Sequence, residues 1–269
     1  MLARIHLARP AVRLYELALA ARSAPLSRAS HEQDGLPLPP ARLRAQAGPR
    51  HADARFFLES GRRHAELIRG LLQEDGDPIE ELGAILDWGC GCGRVLRHWS
   101  TLPDTRVCGC DINSRMVAWC NENLAFARVG VNNVAPPLPY ANGSFDFVYA
   151  FSVMTHLPEN LQHVWIDECL RALRPGGRLL FSALGEYYLT RERLTESERQ
   201  AFLDGKLVVL YEDAPGTSLC SAYHPHEYVR RELAHGLELI SFLPAADIGR
   251  HDLYLFRKPV EPTVAVGQP

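Results

Sequence analysis

The stretch Ala84-Ile-Leu-Asp87-Trp-Gly89-Cys-Gly91-Cys-Gly93-Arg94 decides the fold of this 269-residue chain. An apolar run ends in an acidic residue, and three glycines follow at alternate positions. Glycine has no β-carbon, so such a run turns sharply and lets a ligand lie directly against main-chain N–H groups. The pattern therefore predicts a strand over 84–88, a ligand-binding turn and a helix over 94–100.

Dinucleotide-binding oxidoreductases also place glycines after a first strand, but three details argue against NAD as the ligand. The spacing is G-x-G-x-G rather than G-x-G-x-x-G, which puts the third glycine one position early. Asp87 precedes the first glycine, where a carboxylate repels a pyrophosphate and attracts a ligand that carries ammonium and sulfonium charges. A second predicted strand, 106–111, ends in Asp111, whose carboxylate can accept both hydroxyls of a ribose. A positively charged nucleoside fits these details better than a dinucleotide.

Strands and helices alternate regularly after this turn. The predicted strands are 84–88, 106–111, 127–131, 145–151, 178–184, 237–243 and 252–257, and the predicted helices between and around them are 54–73, 94–100, 114–125, 159–173 and 226–235. Such alternation implies an α/β fold, with a doubly wound and mostly parallel sheet covered by helices on both faces. Ligands of such sheets bind outside the carboxyl ends of the strands, where the strand order reverses.

Four motifs in this order resemble those of the class I S-adenosylmethionine-dependent methyltransferases, and the resemblance runs from about Phe56 to the C-terminus. They are the loop that begins at Asp87, the acid Asp111, the segment 136–158 and the stretch Leu173-Arg-Pro-Gly-Gly-Arg-Leu-Leu-Phe181. The resemblance implies a Rossmann-like fold with a seven-stranded sheet, S-adenosylmethionine as the cofactor, and methyl transfer as the activity.

The resemblance also implies a set of residues that hold the cofactor. The glycine loop is expected to wrap the methionine part, with Asp87 orienting its ammonium through the loop or a water, and Asp111 is expected to bind the ribose. Asn132 is expected to bind the adenine edge, although asparagines at this point also suit a simple turn. The complete set of expected residues is Asp87, Trp88, Gly89, Cys90, Gly91, Asp111, Ile112, Met116, Asn132, Asn133, Val134, Phe151 and Ser152.

Two histidines are candidates for a base that accepts the proton of the methyl acceptor. Positioning and water exclusion carry most of a methyl transfer, so a base helps only when the acceptor is a hydroxyl or a protonated amine. His156 follows the fourth strand, on the expected methyl side; a histidine at a helix start can instead shape the pocket or bond to the backbone. His224 follows the insertion over about 185–222, where the resembling enzymes bring substrate contacts back over the site.

The insertion is rich in tyrosine, which is consistent with a cap over a planar or apolar substrate. The expected substrate contacts are Tyr187, Tyr188, Tyr223 and His224. A packed aromatic patch with no substrate is the alternative interpretation of the same pattern.

The chain is predicted to consist of an N-terminal extension, 1–53, and a methyltransferase domain, 54–269, with the cap insertion at about 185–222. The extension carries a predicted helix over 10–22 and a Pro-rich, extended or mobile linker that begins at Gly35. We expect this helix to pack over the cofactor or a partner subunit. Its Arg-rich, acid-poor composition also resembles that of a mitochondrial transit peptide.

The composition limits the classes of molecule that this chain is expected to bind. A net charge of −3 gives no electrostatic support for nucleic-acid binding. No apolar run approaches the roughly 18 residues that span a bilayer, so we expect a soluble, cytoplasmic protein with no membrane contact. Seven cysteines lack the two-residue spacing of structural zinc sites, and no disulfide or metal is expected. A small molecule or a short peptide is the expected substrate. The sequence is compatible with a homodimer but does not decide the oligomeric state.

The segment after the fourth predicted strand bears on which atom of the substrate accepts the methyl group. Enzymes that methylate exocyclic or amide nitrogens place an Asp or Asn, two prolines and an aromatic residue here, whereas this chain has Ala150-Phe-Ser-Val-Met. We expect the acceptor atom to be oxygen, and the resemblance is compatible with a role in bacterial secondary metabolism. Two alternatives are a non-methylating enzyme on the same scaffold, such as a cyclase or rearrangement catalyst, and a regulatory protein that only binds the cofactor.

Overall fold

Five apolar segments form the parallel part of a single large sheet. They are β1 (Ala84–Trp88), β2 (Arg106–Asp111), β3 (Ala127–Val131), β4 (Phe145–Ala150) and β5 (Leu173–Ala183). The computed structural model that shows them describes residues 34–191 and 194–260. All five residues of β1 are buried, because helices cover both faces of a parallel sheet.

Four further strands complete the fold. β6 (Val208–Leu210) and β7 (Ser221–Tyr223) pair with each other in the insertion, whereas β8 (Glu238–Leu243) and β9 (Asp252–Arg257) join the large sheet antiparallel. The large sheet has seven strands in the order β3-β2-β1-β4-β5-β9-β8. The order reverses between β1 and β4, which places the expected ligand site at their carboxyl ends. The predicted seven-stranded, mostly parallel α/β sheet is confirmed.

The helices are α1 (Ala41–Gln46), α2 (Ala54–Glu74), α3 (Ser114–Asn123), α4 (Glu159–Ala172), α5 (Glu196–Leu203) and α6 (His226–Tyr228), which continues as a π-helical turn over Val229–Leu233. Alternate residues of each strand pack into two hydrophobic cores, one on each face of the sheet. Leu86 packs in the core that contains Trp165 of α4, and its neighbour Ile85 packs in the core that contains Ile68 of α2. This alternation follows from the two-residue period of a strand.

One predicted helix has a different local geometry. Residues 94–100 form turns and a 3₁₀ segment, Leu96–Trp99, rather than an α-helix. Arg97 and Trp99 in this segment are almost fully buried, and the Arg97 guanidinium donates to both carboxylate oxygens of Asp34 at 2.5 and 2.8 Å. The segment is therefore enclosed on several sides rather than lying on the surface as an amphipathic helix. The helix predicted over 10–22 lies outside the described residues.

The insertion has a small core of its own, formed by Leu184, Leu194, Phe202, Val208 and Tyr223. Thr195 caps α5 in a reciprocal capping box with Glu198.

All seven cysteines are buried and free. Among the helices of residues 34–191 and 194–260, none has the length and apolar composition needed to cross a membrane.

Candidate active site

A cavity of about 630 Å³ opens where β1, β2, β3 and β4 end. It is lined by most of the residues that the sequence predicted for the cofactor: Trp88, Gly89, Gly91, Asp111, Ile112, Met116, Asn132, Asn133, Val134, Phe151 and Ser152. The structure thus brings together residues from four separate strand ends, as the doubly wound topology requires.

The glycine loop is held against the end of β2. The carbonyl oxygen of Cys110 accepts the N–H groups of Gly89 and Cys90 at 2.8 and 3.0 Å. Gly89 has φ +79°, and a β-carbon there would lie 2.3 Å from a methyl carbon of Val153. Only glycine fits this position, since any side chain would clash and would also adopt a disfavoured backbone conformation.

Asp111 fixes the loop and faces the cavity at the same time. Its Oδ2 accepts the N–H of Gly91 at 2.8 Å, and its Oδ1 accepts the N–H of Asn113 at 2.7 Å. Burial raises the pKa of Asp111 above its usual value, while the two N–H groups oppose that rise. A carboxylate oxygen has two acceptor sites, so each oxygen keeps one for a hydroxyl of the ligand. This is the arrangement that a ribose needs.

Asn132 carries an acceptor that the protein leaves unpartnered. Its Nδ2 donates to the carbonyl of Asn133 at 2.8 Å, but its Oδ1 is buried without a hydrogen-bond partner among the described residues. A buried acceptor without a partner is costly, and its position on the cavity wall provides a place for a ligand donor. Together with Asp111 and the glycine loop, it fits the amino group and ribose of an adenosine-containing cofactor.

Asp87 and Cys90 lie behind the loop rather than on the cavity wall. The indole N–H of Trp99 donates to the Tyr149 hydroxyl at 2.7 Å, and that hydroxyl bonds to Asp87. Burial raises the pKa of Asp87 to about 7. Asp87 therefore reaches the cavity only through the loop, and the Cys90 thiol is directed toward the Gly91 carbonyl at 3.6 Å.

His156 lines the cavity, as the sequence predicted. Its Nδ1 lies 2.7 Å from the carbonyl oxygen of Cys220, so the proton is on Nδ1 and Nε2 is the free acceptor. The backbone carbonyl of His156 accepts the N–H of Gly216 at 2.8 Å. These two bonds fasten the insertion segment 216–220 over the cavity. Burial lowers the pKa of His156, which keeps the imidazole neutral.

The structure corrects the expectation for the other four predicted substrate and catalytic residues, which lie outside the cavity lining. His224 is fully buried under the cap, its Nε2 lies 3.0 Å from Gln162 Oε1, and burial lowers its pKa to about 3. Tyr223 is part of the cap core. Tyr187 stacks edge-on against Tyr188, whose hydroxyl donates to the carbonyl of Gly249. Tyr223 and Tyr188 therefore pack in the cap, and none of the three tyrosines lines the cavity.

One part of the lining that sequence reasoning missed is the turn over 46–51, just before α2. Arg44 is 1% exposed, and its guanidinium donates to the carbonyls of Pro39, His51 and Ala52. This buried cation ties together the two ends of the segment 39–52, which contains the turn. The sequence gives no signal for it, because a single arginine in an Arg-rich segment is not distinctive.

The other missed part is a polar cluster of His64, Arg94, Asp247 and His251, all of which line the cavity. These residues come from α2, from the segment after the glycine loop, and from the loop between β8 and β9. The only feature of the sequence that could have indicated this cluster is the short spacing between Asp247 and His251, just before β9. Within residues 34–191 and 194–260, no group of three or more His, Cys, Asp or Glu side chains is arranged to hold a metal ion.

Comparisons with known proteins agree with this geometry. The methyltransferase domain family matches residues 85–177. The 27-O-demethylrifamycin SV methyltransferase of Amycolatopsis mediterranei is 35% identical over 49% of this chain and 46% of its own length. The malonyl-[acyl-carrier protein] O-methyltransferase of Hahella chejuensis is 31% identical over 44% of this chain and 45% of its own length. The chain thus spans less than half the length of these two relatives.

The fold also matches solved structures. A crystal structure of an S-adenosylmethionine-dependent methyltransferase from Methanosarcina mazei has a TM-score of 0.50 and 21% identity, and the match covers 66% of this chain and 93% of that chain. Similarity at this level of identity concerns the fold alone. The matched domain, the strand order and the glycine loop with Asp111 identify residues 85–177 as a methyltransferase domain of the class I S-adenosylmethionine-dependent type.

Proposed function

We propose that this protein transfers the methyl group of S-adenosylmethionine to an oxygen atom of a small molecule. The observation that carries the proposal is that one cavity is lined by two chemically different groups of residues. We call Gly89, Gly91, Asp111 and Asn132 the cofactor half. We call His51, His64, Phe151, His156 and His251 the acceptor half.

The cofactor half supplies main-chain N–H groups, a carboxylate and an unpartnered amide oxygen. Asp111 would accept the ribose hydroxyls, and the Asn132 Oδ1 would accept from the adenine amino group. When bound, S-adenosylmethionine supplies a methyl group on a leaving sulfur that is already activated. The protein therefore has to hold the acceptor in line and keep water out.

The acceptor half is aromatic and contains neutral imidazoles. The rings of His64 and Phe151 stack with centroids 4.0 Å apart, and those of His51 and Phe56 stack at 5.3 Å. Burial, together with the charge of Arg94, lowers the pKa of His51 to about 3 and that of His64 to about 4. Such a surface suits a small, partly apolar molecule with a hydroxyl group.

Oxygen as the acceptor atom is supported by the two relatives described above, whose names both refer to O-methylation. A role in bacterial secondary metabolism is the finer part of the proposal and is supported by the rifamycin relative alone. For His156, the two bonds that fasten segment 216–220 support a role in shaping the pocket.

An acceptor screen tests the proposal. The purified protein is incubated with S-adenosylmethionine and separate panels of phenols, aliphatic alcohols, carboxylic acids and amines, and both S-adenosylhomocysteine and methylated product are measured by mass spectrometry. We expect the two products to form in equal amounts with at least one hydroxyl or carboxyl acceptor.

Three results would contradict the proposal. Methylation confined to the amine panel would exclude the oxygen acceptor. A changed substrate without S-adenosylhomocysteine would indicate a non-methylating enzyme. Saturable cofactor binding without turnover on any panel would indicate a regulatory protein.

A further inference from the structure

The loop between β8 and β9 contains a histidine and a carboxylate that are locked together. Asp247 is 4% exposed, and its two oxygens both bond to the same residue. Its Oδ1 accepts the backbone N–H of His251 at 2.8 Å, and its Oδ2 lies 2.8 Å from His251 Nδ1. The carbonyls of Asp247 and His251 accept the N–H groups of Arg250 and Ala246, both at 3.0 Å, which closes the loop around the pair.

This geometry fixes the tautomer of His251. A carboxylate only accepts hydrogen bonds, so in the neutral imidazole Nδ1 carries the proton and Nε2 carries the lone pair. His251 lines the cavity, and its Nε2 has no hydrogen-bond partner among the described residues. Burial raises the pKa of Asp247, but the bonds from His251 and His64 outweigh burial and hold that pKa well below its usual range. Asp247 is therefore ionised.

His64 lies on the other side of Asp247 and has a different role. Arg94 donates to its Nδ1 at 2.9 Å, and its Nε2 lies 3.5 Å from Asp247 Oδ2. Since an arginine only donates, Nδ1 of His64 is an acceptor and the proton is on Nε2. Both nitrogens face protein groups, so His64 has no free lone pair for a substrate.

His251 and His156 differ in what would stabilise them once protonated. The Nδ1–H of His156 faces a neutral carbonyl, that of Cys220, whereas the Nδ1–H of His251 faces an ionised carboxylate. A buried imidazolium next to a carboxylate is compensated, and one next to a carbonyl is not. His251 is therefore the better base. The other titratable or charged groups that interact with it or its carboxylate include His64, His156, Arg94 and Asp252. The Tyr188 ring stacks on the His251 ring, with centroids 5.9 Å apart.

On the basis of the proposed function, we propose that His251 is the catalytic base for the acceptor hydroxyl and that Asp247 is its positioning residue. The acceptor O–H bond breaks, and its proton moves to Nε2 of His251. The oxygen electron pair forms the bond to the methyl carbon, and the electron pair of the broken carbon–sulfur bond stays on sulfur. The products are a methyl ether or ester, a neutral thioether and an imidazolium whose charge Asp247 balances.

Histidine NMR tests the geometry without any acceptor. In ¹⁵N-labelled protein with bound S-adenosylhomocysteine, we expect a single His251 tautomer near neutral pH, with Nδ1 protonated and Nε2 unprotonated. Asp247→Asn should produce a mixture of tautomers. A proton on Nε2 of His251 in the unsubstituted protein would overturn the assignment, because no lone pair would then face the acceptor.

Turnover of the acceptor found in the screen tests the role. His251→Gln should lower kcat by about 100-fold or more, in line with the usual contribution of a base. The affinity for S-adenosylhomocysteine, measured by calorimetry, should stay within about twofold, because the residue contacts the acceptor and not the cofactor. The fall of kcat toward low pH should disappear in this variant. Asp247→Asn should give a smaller loss and move the low-pH limb.

His235→Gln is the matched control, since His235 is exposed and lies outside the cavity lining. It should leave kcat and cofactor affinity unchanged. The inference is overturned if His251→Gln binds S-adenosylhomocysteine normally and keeps its kcat and pH profile. A protein that turns over no hydroxyl or carboxyl acceptor would instead disprove the proposed O-methylation, whatever the state of His251.

Discussion

The two halves of the cavity are held together by different kinds of contact. In the cofactor half, the glycine loop bonds to the end of the neighbouring strand: the carbonyl of Cys110 accepts from the N–H of Gly89, and the Asp111 carboxylate accepts from the N–H of Gly91. In the acceptor half, side chains from a helix, a turn and a hairpin loop meet, as in the contact of His64 with Asp247. The geometry of the cofactor half is therefore set by the sheet, whereas the geometry of the acceptor half is set by how separate elements pack against each other. Substitutions should therefore affect the two halves separately.

The largest effect outside the base is expected at Asp111. Asp111→Ala removes the acceptor of two N–H groups and of the ligand hydroxyls, and should weaken S-adenosylhomocysteine binding by about 1–3 kcal/mol. Calorimetry measures this loss. The control is Asp104→Ala, at an exposed position before β2 and so at the opposite edge of the sheet. Equal affinities for the two variants would mean that the cofactor half has been misassigned.

Gly61 of α2 tests the docking of the acceptor half. A β-carbon there would lie 2.1 Å from the Arg94 carbonyl oxygen, so Gly61→Ala must push α2, which carries His64, away from Arg94. We expect the free energy of unfolding to fall by about 1–3 kcal/mol, measured with urea. We also expect turnover to fall more than cofactor affinity.

Gly70→Ala is the control in the same helix. No atom lies within 4 Å of a β-carbon at Gly70, so alanine should stabilise the protein by up to about 1 kcal/mol through its helix propensity. If both glycine variants behave alike, the close approach of α2 to Arg94 does not control the acceptor half.

His224 lies outside the cavity lining and is fully buried next to Gln162. Its pKa is lowered to about 3, so below the usual value of about 6.5 the unfolded chain binds a proton that the folded chain does not. Stability therefore falls as the pH falls, with a slope of about 1.4 kcal/mol per pH unit from this residue. His224→Gln should remove that slope and leave cofactor affinity unchanged. An unaltered pH dependence of urea unfolding would show that His224 is not buried as a neutral group.

The smallest effect is expected at Asn132. Asn132→Ala removes one unpartnered acceptor and should weaken S-adenosylhomocysteine binding by about 0.5–1.5 kcal/mol. Tubercidin and nebularine analogues of the cofactor, which alter the adenine ring, would localise the loss: it should disappear when the analogue lacks the amino group. A loss that persists with that analogue would place the Asn132 oxygen elsewhere.

The sheet and most of the cofactor half could be predicted because their signals are local. A strand appears in the sequence as an apolar run, and the glycines and Asp111 come directly after such runs. The acceptor half could not be predicted in the same way. Asp247 and His64 are far apart in the chain and meet only through docking, and the tyrosines of the insertion gave a misleading signal because they pack in the cap.

The segment before α2 also could not be predicted from local sequence patterns. Arg44 organises the turn over 46–51 through three backbone carbonyls, and no side-chain pattern records such contacts. Asn113 adds a bond from its Nδ2 to Gln46 Oε1 at 2.9 Å, which ties this turn to the start of α3. Backbone acceptors are the same for every residue type, so their partners become visible only in the structure.

Calorimetric titration of the purified protein with S-adenosylhomocysteine, and separately with NAD, tests the central claim most directly. We expect saturable binding of one S-adenosylhomocysteine per chain and no binding of NAD. Binding of NAD, or of neither ligand, would contradict the assignment of Gly89, Gly91, Asp111 and Asn132 as the cofactor half.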